Sequence, residues 1–334
     1  MRRLGLVVFL LTLPFLLALA GCGGEDGDIT VYSGRQEELV ADLFEQFEDA
    51  TGIKVDVRYG DSAELAATIA EEGDNTPADV FFAQDAGSLG SVAAEGLLAE
   101  LPAGTLAKVD ERFQDPESRW VGTSGRVRVV AYNTDELSED ELPDSIWDYA
   151  DPSWHGRLGL APTNASFQAM VTAMRLESGD ERTRQWLEGI AANEPRIFEN
   201  NVQTVEAIAA GEIDAGFVNH YYLYGLLEEE PDAAVANHFL EPGDAGALVN
   251  VAGVGILRTT DRPGMAQQLV DYLLGPGQEY FSTETDEYPL VAGVGPRTEL
   301  PPLTDLHGPD VALGALGPEL EATLEMIDSA GLTS

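Results

Sequence analysis

The chain has 334 residues, enough for two domains with separate cores, and a hydrophobic fraction of 44%, which is ordinary for a globular protein. Acidic residues outnumber basic ones by 59 to 18, which gives a formal net charge of −41 at pH 7. This balance argues against nucleic-acid binding, because phosphates demand a basic surface. It suits a highly soluble protein that attracts cations in general.

The amino terminus has the features of a bacterial lipoprotein signal. Two arginines precede an apolar run over residues 4–17, and residues 19–22 (Leu-Ala-Gly-Cys) match a lipobox. Residues 1–22 are therefore predicted to be a signal peptide cut just before Cys22, whose thiol receives lipid. We expect an exported protein, lipid-anchored to the outer face of the cytoplasmic membrane through a leash of residues 23–27. A plain signal peptide with a chance cysteine is the alternative.

Other function classes have little support in the sequence. Cys22 is the only cysteine, which excludes an intramolecular disulfide and a cysteine-based metal site in one molecule. His-Glu-x-x-His, Gly-x-Ser-x-Gly, P-loop and Gly-x-Gly-x-x-Gly motifs are absent, and the four histidines show no metal-ligand spacing. No enzymatic activity is predicted, and we expect a monomer.

The first part of the mature chain alternates strands and helices. Strands are predicted over residues 28–33, 52–57 and 78–82, with helical patterns over residues 39–47 and from Ser62 onward. Short connections between alternating strands and helices indicate a parallel sheet with right-handed crossovers.

Two long strands, predicted over residues 126–133 and 248–257, bracket a second set of strands and helices. This arrangement indicates two lobes, between which the chain crosses twice. Lobe 1 is predicted to comprise residues 28–127 plus 252–303, and lobe 2 residues 128–251 plus 304–334.

A pair of tyrosines follows residues 212–216, which are predicted to begin a short buried strand that runs into residues 217–224. Tyr221 and Tyr222 lie where that strand ends and a helix begins, and α/β proteins present ligand-binding groups at the carboxyl ends of their strands. Two adjacent phenols there can face one cleft, and a phenolate is a hard anionic ligand suited to ferric iron. Tyrosines also serve as amphipathic packing residues, so the pair alone leaves both interpretations open.

Several short stretches, spread in order over nearly the whole mature chain, resemble one known family. They are residues 28–33, 51–55, 71–74, 76–81, 95–98, 124–126, 156–159, Asn219 with Tyr221 and Tyr222, 246–249 and 287–290. Together they resemble the periplasmic ferric-ion-binding proteins of bacterial ABC importers. The resemblance implies an α/β fold of two lobes, the type II periplasmic-binding-protein or "Venus flytrap" fold, with two crossover strands and an interlobe cleft. It also implies Fe³⁺ as the transported ligand, and an ABC permease with its ATPase as partners.

The resemblance places the two iron ligands on Tyr221 and Tyr222, and implies a synergistic anion, phosphate or carbonate. Its contacts to that anion would fall on Asn164, Ser166, Asn201 and Asn219. Residues 163–166 precede an apolar helix, and a helix N-terminus favours an anion. An ordinary helix N-cap is the alternative for this stretch.

The first lobe departs from the family pattern. Many members carry a histidine where this chain has Gln36 and a glutamate where it has Gln84, which Asp85 follows; another branch has a tyrosine at Ser166. Neutral amides are poor partners for ferric iron but can hydrogen-bond a bound water or anion. Gln36, Gln84 and Asp85 are therefore predicted as first-lobe cleft contacts. Iron is then held mainly by the tyrosines, anion and water, or Asp85 contributes, or the ligand is a different one.

Two other functions remain open at this stage. The same fold serves importer components for anions or small organic solutes such as a phosphonate, thiamine or a polyamine, and fold does not fix the ligand. A ligand-sensing lipoprotein that partners a receptor instead of a permease is the third class.

Overall fold

A computed structural model describes residues 28–297 and 299–333. The predicted signal peptide, the leash and Cys22 lie outside these residues. In the described part of the chain, no helix is both long and apolar enough to cross a bilayer.

The described strands form one mixed sheet. They are β1 (Ile29–Ser33), β2 (Val55–Tyr59), β3 (Val80–Ala83), β4 (Trp120–Asn133), β5 (Leu158–Leu160), β6 (Arg196–Ile197), β7 (Ala215–Asn219), β8 (Val235–His238), β9 (Val249–Ile256) and β10 (Tyr288–Pro289). The α-helices are α1 (Glu37–Thr51), α2 (Ser62–Glu72), α3 (Ala86–Ala94), α4 (Ala103–Leu106), α5 (Ala165–Ser178), α6 (Asp180–Ala192), α7 (Asn201–Ala209), α8 (Tyr222–Glu229), α9 (Pro263–Leu273), α10 (Gly277–Thr283) and α11 (Leu320–Ser329).

The first lobe is built on the parallel strands β2, β1 and β3, as the alternation of strands and helices predicted. Helix α1 buries Val40, Leu43, Phe44 and Phe47, which recur at helical spacing. Phe44 packs edge-on against Phe82 of β3, with ring centroids 6.2 Å apart. Burial of this apolar stripe holds α1 on the sheet.

The long strands β4 and β9 join the two lobes. Strand β4 pairs with β9 as far as Val127, opposite Val249. From Arg128, opposite Asn219, it pairs with β7 of the second lobe. The pairing of β4 therefore changes from β9 to β7 between Val127 and Arg128, and Arg128 lines the space between the lobes.

The second lobe continues the sheet from β7 to β5 and β6, which run parallel to each other. Its core contains a cluster of aromatic rings. Phe217 on β7 lies between Tyr149 and Trp186, with ring centroids 5.4 and 5.8 Å from its own. This packing fixes the strand that ends at Asn219, directly before the tyrosine pair.

The carboxyl-terminal segment contacts elements of both lobes. The turn Leu313–Leu316 lies against α3, and a methyl group built on Gly90 would lie 2.7 Å from the Cα of Gly314 and closer still to its carbonyl oxygen. Helix α11 then packs on α5 of the second lobe, where the hydroxyls of Thr172 and Thr323 are 2.8 Å apart. The division of the chain between the lobes stays a prediction.

The close approach at Gly90 has a measurable consequence. We expect Gly90→Ala to lower the free energy of unfolding by about 1–3 kcal/mol, because the methyl group meets backbone that must shift. Gly104→Ala is the matched control, since a methyl group there meets nothing within 4 Å. Urea unfolding of both variants measures the difference, and equal stabilities would contradict the close contact.

Candidate metal and anion site

A cleft of about 1040 Å³ lies between the lobes. Most of the predicted site residues line it: Gln36, Gln84 and Asp85 from the first lobe, and Asn164, Ser166, Asn219, Tyr221 and Tyr222 from the second. Asn201 is fully buried and donates from its side-chain amide to Asn164 and Ser166. The fold thus brings residues far apart in sequence to one site.

The two tyrosines lie side by side at the end of β7. Tyr221 precedes the first residue of α8, which is Tyr222, and the two ring centroids are 4.4 Å apart with an interplanar angle of 36°. Burial and the neighbouring Tyr222 raise the pKa of Tyr221 well above its ordinary value, and the charge of Arg126 opposes this effect. Tyr221 is therefore a neutral phenol at pH 7 unless a cation displaces its proton.

His220, next to the pair, faces away from the cleft. Its ring is fully buried, and burial lowers the pKa of the imidazole to about 4, so it is neutral at pH 7. Its Nε2 lies 2.9 Å from the carbonyl oxygen of Asp286.

The predicted anion contacts form one hydrogen-bonded cluster. Asn164 caps helix α5: its Oδ1 accepts from the N–H of Ser166 at 3.0 Å and from the Ser166 hydroxyl at 2.5 Å. The amide of Asn201 donates to Asn164 Oδ1 at 3.1 Å and to Ser166 Oγ at 3.2 Å. Asn164 is thus an N-cap, and the cap itself borders the cleft.

Arg128 lies at the centre of this cluster and is absent from the site predicted from sequence. Its Nη1 donates to Ser166 Oγ at 3.0 Å and to Asn219 Oδ1 at 3.2 Å, and its Nη2 donates to the carbonyl of Phe217 at 2.7 Å. The side chain is buried, and its Nε has no hydrogen-bond partner among the described residues. Arg126 and Arg128 alternate within an otherwise apolar strand, and this pattern is the sequence signal that could have identified Arg128.

The charge of Arg128 has no carboxylate partner in the described residues, although the residue lines the cleft. Burial lowers its pKa to about 10, while the phenols of Tyr222 and Tyr221 act in the opposite direction. The guanidinium remains protonated at neutral pH. A buried cation without a counter-charge favours an anion beside it.

Two further arginines share one buried carboxylate at the floor of the cleft. Glu287 Oε2 accepts from Arg35 Nη2 at 3.0 Å and from the Ser124 hydroxyl at 2.8 Å, and Arg126 Nε lies 4.0 Å from Oε1. Burial alone raises the pKa of Glu287, but Arg35, Arg126 and these hydrogen bonds prevail and hold it below its usual value. Arg128 forms no ion pair with this carboxylate, so the buried charges here are three guanidinium groups and one carboxylate, which is an excess of positive charge.

The predicted first-lobe contacts are two neutral amides and one carboxylate. Gln36 is exposed at the start of α1, and Gln84 Oε1 is buried without a partner in the described residues. Asp85 caps α3, with one oxygen accepting from the N–H of Ser88 and the other from its hydroxyl, both at 2.8 Å. A metal bond from Asp85 would therefore compete with this cap. The part of the chain that the structure describes has no cluster of three or more His, Cys, Asp or Glu that could hold a metal.

Two α/β lobes joined by two long strands, with a polar cleft between them, define a solute-binding protein of the periplasmic type. The family described as bacterial extracellular solute-binding protein matches residues 75–303. The Fe(3+)-binding periplasmic protein of Serratia marcescens is 32% identical over 333 residues, which cover 98% of each chain.

Solved structures agree with this comparison. Iron-bound HitA from Pseudomonas aeruginosa is 35% identical, with a TM-score of 0.84 and coverage of 91% of this chain and 99% of that one. The Trichodesmium protein IdiA (FutA) in complex with iron and citrate ligands is 30% identical, with a TM-score of 0.81 and the same coverage. The chain belongs to the bacterial extracellular solute-binding proteins, within the ferric-ion-binding group. This confirms the predicted family and two-lobed type II fold, and identifies a binding protein, not an enzyme.

Removal of the buried carboxylate tests the charge balance of the cleft floor. We expect Glu287→Gln to lower the free energy of unfolding at pH 7 by about 3–5 kcal/mol, because it leaves two buried guanidinium groups unpaired. The folded-state pKa of Glu287 is depressed, so its contribution is present above the unfolded-state pKa and is lost as the pH falls through the folded-state value. The difference from wild type should therefore shrink in acid.

Chemical denaturation at a series of pH values measures this effect. Glu181→Gln is the control, because Glu181 forms an exposed ion pair with Arg184 and should contribute less than about 1 kcal/mol. A Glu287→Gln variant as stable as this control at pH 7 would contradict the buried network.

Proposed function

We propose that this chain is the extracytoplasmic solute-binding component of an ABC importer and captures ferric iron between Tyr221, Tyr222 and a bound anion. The observation that carries the proposal is the pair of adjacent phenols beside the buried, uncompensated charge of Arg128. The iron-binding relatives support the choice of metal.

Charge balance explains why an anion belongs to this site. Fe³⁺ displaces the protons of both phenols, since a bound cation favours the deprotonated form of its ligands. Two phenolates offset two of the three metal charges, and the arginine excess adds to what remains. A phosphate or carbonate next to the iron would supply the missing negative charge and complete the coordination that the neutral first-lobe amides do not provide.

The second lobe has the groups to hold that anion. Arg128 can form charge-assisted hydrogen bonds, which are stronger than neutral ones. The Ser166 hydroxyl, at the capped N-terminus of α5, and the side chain of Asn219 lie beside it, and the buried Asn201 amide holds Asn164 and Ser166 in place. Gln84 and Gln36 would meet the anion or an iron-bound water from the opposite wall when the lobes close.

The transport cycle follows from the two-lobed fold. Iron and anion enter the open cleft, and the lobes close by rotation about β4 and β9, as hinged binding domains do around their ligands. The closed protein, a monomer held at the membrane by lipid on Cys22, then docks on a permease, and the ATPase drives delivery.

A second candidate function is supported by the same cleft floor. Three buried guanidinium groups to one buried carboxylate would also suit an anion without iron, and the unpartnered Gln84 Oε1 would accept a hydrogen bond from a donor on a small organic solute. The adjacent phenols favour iron, and the titration below separates the two.

We expect ferric iron, titrated from a weak chelator into metal-free protein, to produce a saturable one-to-one phenolate-to-iron absorption band in the visible. Tyr221→Phe and Tyr222→Phe should each lose or severely weaken the band, because each removes one phenolate ligand. Tyr132→Phe is the control, since Tyr132 is buried in the sheet and does not line the cleft. No band in any buffer, with the protein folded, would exclude the iron site and leave the anion or organic solute.

The anion is tested through Arg128. In wild type, added phosphate or carbonate should tighten iron binding, and Arg128→Gln should weaken it roughly 10–100-fold at saturating anion, since a hydrogen bond to a charged group contributes about 1.5–3 kcal/mol. Arg157→Gln removes a partly exposed ion pair with Asp214 and serves as the control. Retained anion dependence in Arg128→Gln, measured by the same titration, would show that the anion binds elsewhere.

A further inference from the structure

His220 connects the tyrosine pair to the hinge. Its ring Nδ1 lies 3.2 Å from the backbone N–H nitrogen of Val127, and its Nε2 lies 2.9 Å from the carbonyl oxygen of Asp286. Its own N–H donates to the carbonyl of Val127 at 3.0 Å. The next residue along the chain is Tyr221, and the two rings meet edge-on with centroids 5.7 Å apart.

The hydrogen-bonding roles of the two ring nitrogens are fixed by their partners. A backbone N–H can only donate, so Nδ1 accepts from Val127; a carbonyl oxygen can only accept, so Nε2 carries the proton and donates to Asp286. The neutral imidazole therefore satisfies both contacts at once, on opposite sides of one rigid ring.

The two partners of the ring lie on different parts of the molecule. Val127 is the residue at which β4 leaves its pairing with β9 and enters the second lobe. Asp286 directly precedes the segment that continues into β10, which pairs with β4 at Gly125 in the first-lobe part of that strand. The backbone of Asp286 has a φ of 53°, and its carboxylate is held 2.5 Å from Arg297. The Nε2 contact therefore joins the second-lobe tyrosine junction to a constrained first-lobe loop.

We propose that His220 is a positioning residue that ties the orientation of Tyr221 to the relative position of the two lobes. This inference rests on the proposed iron site, and deepens it by naming what holds one ligand in place. A rotation about β4 changes the distance between His220 Nε2 and Asp286, while the contacts to Val127, on the crossing strand itself, persist. Closure of the lobes and correct placement of the Tyr221 phenol therefore occur together. Retention of iron then depends on the imidazole of His220.

Iron retention is the first measurement. We expect His220→Ala to lose iron to an excess of strong chelator at least tenfold faster than wild type, with a shifted maximum of the visible band. His220→Gln, whose amide can both accept and donate, should recover part of the retention. His238→Ala is the matched control, because His238 is also buried, with Nε2 3.1 Å from the carbonyl of Pro143, but has no contact with the tyrosine pair.

The comparison separates positioning from general stability. Thermal unfolding of both alanine variants should show similar losses, whereas only His220→Ala should release iron quickly and shift the band. Equal release rates in the two variants, or a band maximum in His220→Ala identical to that of wild type, would overturn the proposal.

A second measurement does not need iron. Spin labels at Asp56→Cys on β2 and Glu188→Cys on α6, both exposed positions, report the distance between the lobes in the chain carrying Cys22→Ser. His220→Ala should broaden this distance distribution relative to wild type and to His238→Ala, and an unchanged distribution would overturn the tether. If the wild-type protein binds no iron but the distance distribution still broadens in His220→Ala, the proposed function is wrong, while the role of His220 in linking the lobes is supported.

Discussion

The buried guanidinium group of Arg128 is the constraint on which the site depends. A cation out of contact with water needs a negative partner or several hydrogen bonds, since an isolated buried charge is very costly. Arg128 donates hydrogen bonds to Ser166, Asn219 and the carbonyl of Phe217, but it has no carboxylate partner within the described residues. Its position follows from β4, which must cross between the lobes and so places its side chains at the floor of the cleft. These hydrogen bonds stabilise the guanidinium without neutralising it, and we expect the deprotonated phenols and a bound anion to supply the counter-charge.

The local charge at the cleft floor opposes that of the molecule as a whole. The chain has a net charge of −41, yet the buried charged groups where the lobes meet are three guanidinium groups and one carboxylate. Carboxylates elsewhere on the exposed surface act weakly on these groups, because salt screens charges beyond about 8–10 Å. Buried charges are screened much less, so the charges at the cleft floor determine what binds there. They attract an oxyanion directly, and they allow a trivalent metal to bind only together with anionic ligands.

Much of this arrangement could be predicted from the sequence, and the exceptions have physical reasons. The tyrosine pair, the two crossover strands and the capped helix at Asn164 are local patterns that a short window of sequence reveals. Arg128 was missed because its role arises from strand pairing with Asn219, a contact between distant parts of the chain. The hydrogen bond from Ser88 to Asp85 could not be predicted either, because an aspartate that caps a helix and one that is free to bind a ligand can occur in the same sequence. The contact of the carboxyl-terminal turn with α3 depends on Gly90 and Gly314, whose spacing in the chain gives no sign of it.

The most direct test of the iron–anion site is diffraction from crystals loaded with ferric iron and phosphate, with data collected on both sides of the iron absorption edge. We predict one strong anomalous peak within bonding distance of the phenolic oxygens of Tyr221 and Tyr222, with anion density touching both the metal and Arg128. An iron peak at Asp85 or on the acidic surface, with both phenols unbound, would contradict the proposed site.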